Sequence, residues 1–163
     1  SSAIAQGLRS FKLDHHRLEV VLTSGGITFI DDSKATNPHA AIAAIQSQLE
    51  SIWIAGGLAK GAAMDELARR SKGRIKAAIL IGSDATTIQS ALLKESPNLA
   101  IYMTDSNLTG IDVMAQVMGI VKNIAVSGDV VLLAPACASM DQFKNYADRG
   151  DIFTQAAKEA FGE

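Results

Sequence analysis

Four short apolar runs, separated by stretches long enough to form helices, constrain the possible fold of this chain more than any other feature. The runs cover residues 52–55, 77–81, 99–103 and 130–134. Apolar runs of this length are typical of strands that are covered on both faces, and parallel strands need crossover connections of helical length. The pattern therefore predicts a Rossmann-like, doubly wound α/β domain, with a mostly parallel sheet and helices on both faces.

The start of the sheet shows a different pattern, in which apolar residues recur at every second position. Leu18, Val20 and Leu22 follow this spacing, and the sequence TSGG at residues 23–26 then supplies the glycines of a tight turn before residues 27–30. We expect an antiparallel hairpin strand at this edge of the sheet.

The connecting segments carry apolar residues at helical spacing. These residues are Ile42, Ile45 and Leu49, then Met64, Leu67 and Ala68, then Ile88, Leu92 and Leu93, and finally Val113, Val117 and Val121. Asn37 before Pro38 marks a helix start, because asparagine can cap the free amides and proline loses no hydrogen bond at the first position. A last helix is expected over residues 151–161, with one apolar side formed by Phe153, Ala156, Ala157 and Ala160.

The composition excludes several classes of protein. The 163 residues are 48% hydrophobic and 20% charged, which is ordinary for one soluble domain, so residues 1–163 are expected to form a single domain. A formal net charge of -2 gives no basic field for nucleic acid or an anionic membrane. Cys137 is the only cysteine and no apolar run reaches membrane-spanning length, so we expect a cytoplasmic protein. The chain does not begin with methionine, which points to a fragment.

Three polar loops follow strands of the predicted sheet, where doubly wound domains bind their ligands. The loops are DDSKATN at residues 31–37, GGLAKG at 56–61 and PACASMDQFKN at 135–145. The first loop crowds two carboxylates, a lysine and hydroxyl groups at a helix start, where free backbone amides favour an anion. The alternative is that Asp31, Asp32 and Ser33 only cap the backbone.

The second and third loops lack the signatures of well-known catalytic motifs. No Gly-Lys-Ser/Thr sequence closes the glycine-rich loop, so it is not a phosphate-binding loop, but Lys60 can bind a carboxylate. Cys137 and Ser139 could act as nucleophiles, but no G-x-S-x-G sequence surrounds the serine and the histidines lie far away in sequence. A small residue in a close-packed loop is the better interpretation of Cys137.

The triplet Asp14-His15-His16 contains residue types that bind metals. Three adjacent residues of a strand cannot all face one ion, because side chains alternate between the two faces. We therefore expect no metal site, and exposed polar residues before the hairpin are the simpler interpretation.

The three loops together resemble the Mur ligases and their folylpolyglutamate synthetase relatives, and DDSKATN and PACAS-DQFKN resemble the members that add D-glutamate. The resemblance runs from about His16 to the carboxyl end. His16-Arg17 is similar to the family's Pro-His-Arg, with His15 in place of the proline. The third loop departs from the family pattern only by conservative changes, at Ala134, Tyr146, Ala147 and Asp148.

The resemblance implies the third, carboxyl-terminal domain of an ATP-dependent amide ligase. Such a ligase joins D-glutamate to UDP-N-acetylmuramoyl-L-alanine through an acyl phosphate, in the synthesis of peptidoglycan precursors. ATP and Mg²⁺ are then held mainly by a central domain, which these 163 residues do not contain, and the UDP sugar by an amino-terminal domain. The partners implied are these two domains and the substrates, and the chain alone is expected to be inactive and to hold no cofactor.

The resemblance also implies roles for individual residues. Arg17 and Lys34 are expected to be the catalytic cations beside the transferred phosphate, and Asp32 to bind the ribose hydroxyls of ATP. Lys60 and Thr36 are assigned to one carboxylate of D-glutamate. The other carboxylate is assigned to a group formed by Ser139, Met140 and Tyr146, of which the last two contribute backbone amides.

Two further interpretations remain open at the level of the sequence. One is a domain of a folylpolyglutamate synthetase-like ligase, against which the PACAS-DQF stretch argues. The other is a stand-alone Rossmann-like binding module that catalyses no reaction.

Overall fold

A six-stranded sheet organises residues 14–162, the part of the chain that our computed structural model describes. The strands are β1 (Glu19–Ser24), β2 (Ile27–Asp31), β3 (Ser51–Gly56), β4 (Ile75–Ile81), β5 (Ala100–Met103) and β6 (Val130–Leu133). Their order is β1-β2-β6-β3-β4-β5, and only the pair β1 and β2 is antiparallel. The predicted hairpin and the mostly parallel sheet are confirmed.

Within residues 14–162, five helices cover the two faces of the sheet: α1 (Pro38–Gln46), α2 (Asp65–Arg70), α3 (Ala85–Glu95), α4 (Gly110–Ile124) and α5 (Tyr146–Phe161). The first three pack on one face, against Trp53 and Leu80, whereas α4 and α5 pack on the other, against Phe29 and Ile54. Each central strand alternates its side chains between these two cores. None of the helices in the described residues is long and apolar enough to cross a membrane.

Two helix boundaries differ from the prediction. Helix α1 ends at Gln46, so Leu49 lies beyond it and is 88% exposed instead of buried. Helix α5 begins at Tyr146, five residues earlier than expected, because the Asn145 side chain accepts a hydrogen bond from the amide of Asp148. The start of α1 is confirmed, since the Asn37 side chain caps the amide of Ala40 at 2.9 Å.

The strand order brings the three polar loops to one place. Strand β6 lies between β2 and β3, so the carboxyl ends of these three strands are neighbours. The chain reaches β6 last, after crossing back over the other face of the sheet through α4. The loops that follow β2, β3 and β6 therefore converge at the point where the winding direction changes.

A buried arginine joins helix α5 to two of these loops. Arg149 is fully buried, and it donates from Nε to Ser33 Oγ and from Nη2 to the Ser33 carbonyl, both at 2.8 Å. Its Nη1 donates to the Cys137 carbonyl at 3.0 Å. Burial lowers the pKa of Arg149 to about 10, so the guanidinium stays charged at neutral pH. One side chain thus fixes the first loop against the third.

We expect Arg149→Ala to lower the free energy of unfolding by about 3 to 5 kcal/mol, because buried acceptors on two loops lose charged donors. Arg149→Lys should recover only part of this loss, since one ammonium group cannot copy the planar fork. Urea unfolding of the 163-residue chain measures both variants. Arg69→Ala, on an exposed face of α2, is the control, and an equal loss in Arg69→Ala and Arg149→Ala would contradict the assignment.

Candidate functional site

The two aspartates of the first loop have different surroundings. Asp31 is fully buried, and its carboxylate accepts from the Ser33 amide at 2.9 Å and lies 2.6 Å from His16 Nδ1. Both oxygens are thereby engaged with the protein. Asp31 and Ser33 therefore play the capping and structural role that the sequence left open, whereas Asp32 faces another direction.

Asp32, Arg17 and Lys34 line one shallow depression of about 220 Å³, which is backed by alanines of α1. Asp32 Oδ1 accepts from the Leu18 amide at 3.1 Å. Burial raises the pKa of Asp32 to about 6, and the nearby charge of Asp31 adds to the effect. The three residues that the sequence assigned to ATP are thus brought together on one wall.

The two cations of this depression share an acidic neighbour, Asp14, which the sequence suggested only as a candidate metal ligand. Lys34 Nζ lies 3.1 Å from Asp14 Oδ2, and Arg17 Nη2 lies 3.9 Å from the same oxygen. The hydrogen bond and charge of Lys34, followed by the charge of Arg17, hold the pKa of Asp14 below its ordinary value. The Asp14 carboxylate thus offsets part of the positive charge of these two side chains.

The glycine-rich loop after β3 lies directly against the loop after β6. Leu58 and Ala138 exchange two backbone hydrogen bonds, each of 2.9 Å. Gly57 has φ of 129°, and a Cβ atom at this position would collide with the Ala138 carbonyl, so only glycine permits the approach. Lys60 follows in the left-handed region with φ of 52°, and its side chain is exposed.

Two aspartates that the sequence interpretation did not single out hold these loops in place. Asp84 Oδ2 accepts from the Ala59 amide at 2.8 Å, one residue before Lys60. Asp141 Oδ2 accepts from the Ser83 amide at 3.0 Å, while its Oδ1 is buried without a partner. Asp84 lies three residues after β4, the neighbour of β3. Ligands bind beyond the carboxyl ends of strands in such sheets, so its position after an apolar run was a sequence signal for this residue.

The third loop lies between the other two. The Ala136 amide donates to the Ala35 carbonyl at 2.9 Å, next to the exposed Thr36. Ser139 is almost completely buried, and the following residue, Met140, is 66% exposed. Thr36, Lys60 and Ser139 therefore lie on three loops, of which the third hydrogen-bonds to both of the others.

Tyr146 begins helix α5 at the rim of the first loop. Its carbonyl accepts from Ser33 Oγ at 2.6 Å, and its ring stands edge-on to that of His16, with 6.2 Å between the centroids. The backbone of Tyr146 is thereby held by the same serine that Arg149 binds.

The surroundings of Cys137 argue against a nucleophilic thiol. The side chain is fully buried, and burial raises its pKa to about 12, so the reactive thiolate is disfavoured at neutral pH. The structure therefore gives no support to Cys137 as a nucleophile.

Comparison with known proteins identifies the family to which this chain is similar. A family model described as Mur ligase, glutamate ligase domain, matches residues 16–137. The UDP-N-acetylmuramoylalanine--D-glutamate ligase of Streptomyces avermitilis is 47% identical over 158 residues, which are 97% of this chain and 33% of that protein. The chain thus spans about a third of the length of the curated relatives it matches.

Solved structures of low sequence identity share the fold. UDP-N-acetylmuramate-alanine ligase MurC from Thermotoga maritima matches with a TM-score of 0.59 at 14% identity, over 95% of this chain and 33% of that one. A bifunctional folylpolyglutamate synthase/dihydrofolate synthase from Yersinia pestis, complexed with AMPPNP and a Mn ion, gives 0.58 at 14% identity, over 95% and 34%. The family match covers most of the sequence and these neighbours have the same architecture, so this chain belongs to the Mur ligase family, of which it has the glutamate ligase domain.

Proposed function

We propose that this chain is the third domain of a ligase that adds D-glutamate to UDP-N-acetylmuramoyl-L-alanine. In this role it supplies the pocket for the amino acid and one wall of the ATP site. The convergence of three loops beyond β2, β3 and β6, joined by the Ala136–Ala35 and Leu58–Ala138 hydrogen bonds, is the observation that carries the proposal. An amino-terminal domain would hold the UDP sugar, and a central domain would hold most of the nucleotide.

The wall formed by Arg17, Asp32 and Lys34 suits part of a nucleotide. Phosphoryl transfer is helped by cations around the moving phosphate, which is the role proposed for Arg17 and Lys34. Asp32, as a carboxylate acceptor, would take the ribose hydroxyls. The depression contains a single carboxylate among its lining residues, so Mg²⁺ is assigned to the central domain, where it would neutralise the phosphates.

The acceptor pocket has to hold both carboxylates of D-glutamate and leave its amine free. Lys60 and Thr36 are proposed to bind one carboxylate, through a charge and a hydroxyl. Ser139, together with backbone amides near Met140 and Tyr146, is proposed to bind the other. Fixing both ends aims the amine at the acyl carbon, which replaces a bimolecular encounter by a reaction within one complex.

Closure of this domain on the central one completes both sites. The acyl phosphate formed from the substrate carboxylate and the γ-phosphate is easily hydrolysed, so water must be excluded before the amine attacks. Arg17 is 53% exposed and Lys60 is exposed, which leaves both cations accessible to a second domain. The likeness to a folylpolyglutamate synthase shows the fold alone, and the 47% identity to a D-glutamate ligase favours D-glutamate as the acceptor.

We expect Arg17→Ala and Lys60→Ala to impair different steps of the reaction. Both are made in a chimera in which this chain replaces the matching third of the Streptomyces avermitilis ligase. Lys60→Ala should raise the KM for D-glutamate about 10- to 150-fold, the loss of one charged hydrogen bond, while acyl phosphate still forms. Arg17→Ala should chiefly slow the ATP-dependent step, because its cation acts on the charge of the transferred phosphate.

The exposed Lys72→Ala provides the control for this comparison, since it removes a lysine outside the three loops. Steady-state kinetics with D-glutamate or ATP varied separates the two effects. If Lys60→Ala left D-glutamate saturation unchanged and abolished phosphoryl transfer, the glycine-rich loop would belong to the nucleotide.

A pH-dependent stability is expected from Asp32. Its pKa of about 6 in the folded chain exceeds the ordinary 3.8, so its protonated form favours folding. This contribution is complete below about pH 3.8 and is lost as the pH rises through about 6. Relative to Asp32→Asn, which still accepts from the Leu18 amide, the wild-type chain should lose about 1 to 2 kcal/mol between pH 4 and pH 7.

Urea unfolding at several pH values measures this difference. Asp65→Asn is the control, because the Asp65 side chain is 66% exposed and water solvates it in both states. A constant difference between wild type and Asp32→Asn from pH 4 to pH 7 would show that Asp32 carries no burial cost.

A further inference from the structure

We propose that His15, His16 and Asp151 form a binding site for a divalent transition-metal ion of the zinc type. The site lies behind the first loop, where the turn before β1 meets helix α5. All three residues belong to this chain, so the site can be tested on the chain alone.

Two of the separations, both from Asp151 to a histidine, are close to those of a tetrahedral site. Asp151 Oδ1 lies 3.5 Å from His15 Nε2 and 3.4 Å from His16 Nε2. One potential ligand atom from each of the three residues lies within 4.8 Å of the others. In a tetrahedral zinc site with bonds of about 2.0 to 2.1 Å, neighbouring ligands are about 3.3 to 3.4 Å apart. The fourth position would face water, because His15 and Asp151 are 66% and 64% exposed.

Both imidazole rings are oriented by a second carboxylate. His16 Nδ1 lies 2.6 Å from Asp31 Oδ2, and His15 Nδ1 lies 2.7 Å from Glu19 Oε1. A carboxylate oxygen can only accept a hydrogen bond, so each ring donates one from Nδ1. In a neutral imidazole the free lone pair is then on Nε2. Carboxylate–histidine pairs of this kind hold the histidine ligands of most metal sites in one tautomer and one orientation.

This arrangement directs three electron-rich atoms toward one point. When both rings are neutral and donate from Nδ1, the two Nε2 lone pairs and the Asp151 carboxylate face one another. Such a set is stable when a cation lies among the three atoms. Two imidazoles and one carboxylate select zinc and similar first-row metals, whereas magnesium prefers oxygen ligands and water.

The backbone is shaped to bring the two histidines together. Residues 14–18 form a turn and bends instead of a strand, so the alternation that argued against a shared ion does not apply. His16 has φ of 68°, a conformation that residues other than glycine rarely adopt. A Cβ atom at position 150 would collide with the His16 ring, so Gly150 provides the space in which the ring lies.

Calorimetric titration of the 163-residue chain with ZnCl₂ tests the site, with Co²⁺ as a spectroscopic probe. We expect one ion per chain, and Co²⁺ absorption bands of a four-coordinate site with nitrogen ligands. His15→Ala and Asp151→Asn should each weaken Zn²⁺ binding at least about ten-fold, and Glu19→Gln, which acts through His15, about 10- to 100-fold. Millimolar Mg²⁺ should not compete.

His39→Ala is the matched control, because it removes an exposed histidine of α1 outside the site. Its Zn²⁺ affinity should equal that of the wild type. Equal losses in His39→Ala and His15→Ala would indicate scattered surface binding and overturn the proposal. A Co²⁺ spectrum of the wild-type chain that shows only the hydrated ion would overturn it without any variant.

Discussion

The buried guanidinium of Arg149 is the interaction on which the candidate site depends. It donates to Ser33 of the first loop and to the Cys137 carbonyl of the third, so loops that follow different strands have one common anchor. Burying a charge is costly unless its donors are satisfied, and here the donors meet backbone and hydroxyl acceptors and not a carboxylate. The guanidinium therefore joins helix α5, the first loop and the third loop at one point.

The loops around this anchor form two walls, one proposed to bind the nucleotide and the other the amino acid. The wall with Arg17, Asp32 and Lys34 is built by the first loop and the turn before β1, whereas the wall with Lys60 and Ser139 is built by the second and third loops. The two aspartates after β4 and β6, Asp84 and Asp141, accept hydrogen bonds from backbone amides and so fix the loops. We therefore regard them as positioning residues, and the cations as the groups that would contact substrate.

Much of the fold could be predicted because its signals are local. Apolar runs mark strands, and an asparagine cap marks the start of α1 at Asn37, so both follow from neighbouring residues. The sheet order, with β6 between β2 and β3, depends on packing across the whole chain, and no local pattern encodes it. The same limit explains why Arg149 was missed, since its acceptors lie 12 and 116 residues away in sequence. Leu49 was misplaced because helical spacing continues past the point where the Ser47 cap ends α1.

In the proposed acceptor pocket, Lys60 and Ser139 bind the two ends of one dicarboxylate. A double-mutant cycle tests it most directly, with Lys60→Ala, Ser139→Ala and the double variant in the Streptomyces avermitilis chimera, and with D-glutamate varied at saturating ATP. A D-glutamate molecule released at one end is already poorly aimed, so we expect the combined loss in kcat/KM to be smaller than the sum of the single losses. Strict additivity, or a D-glutamate KM that the double variant leaves unchanged, would contradict a shared pocket between the second and third loops.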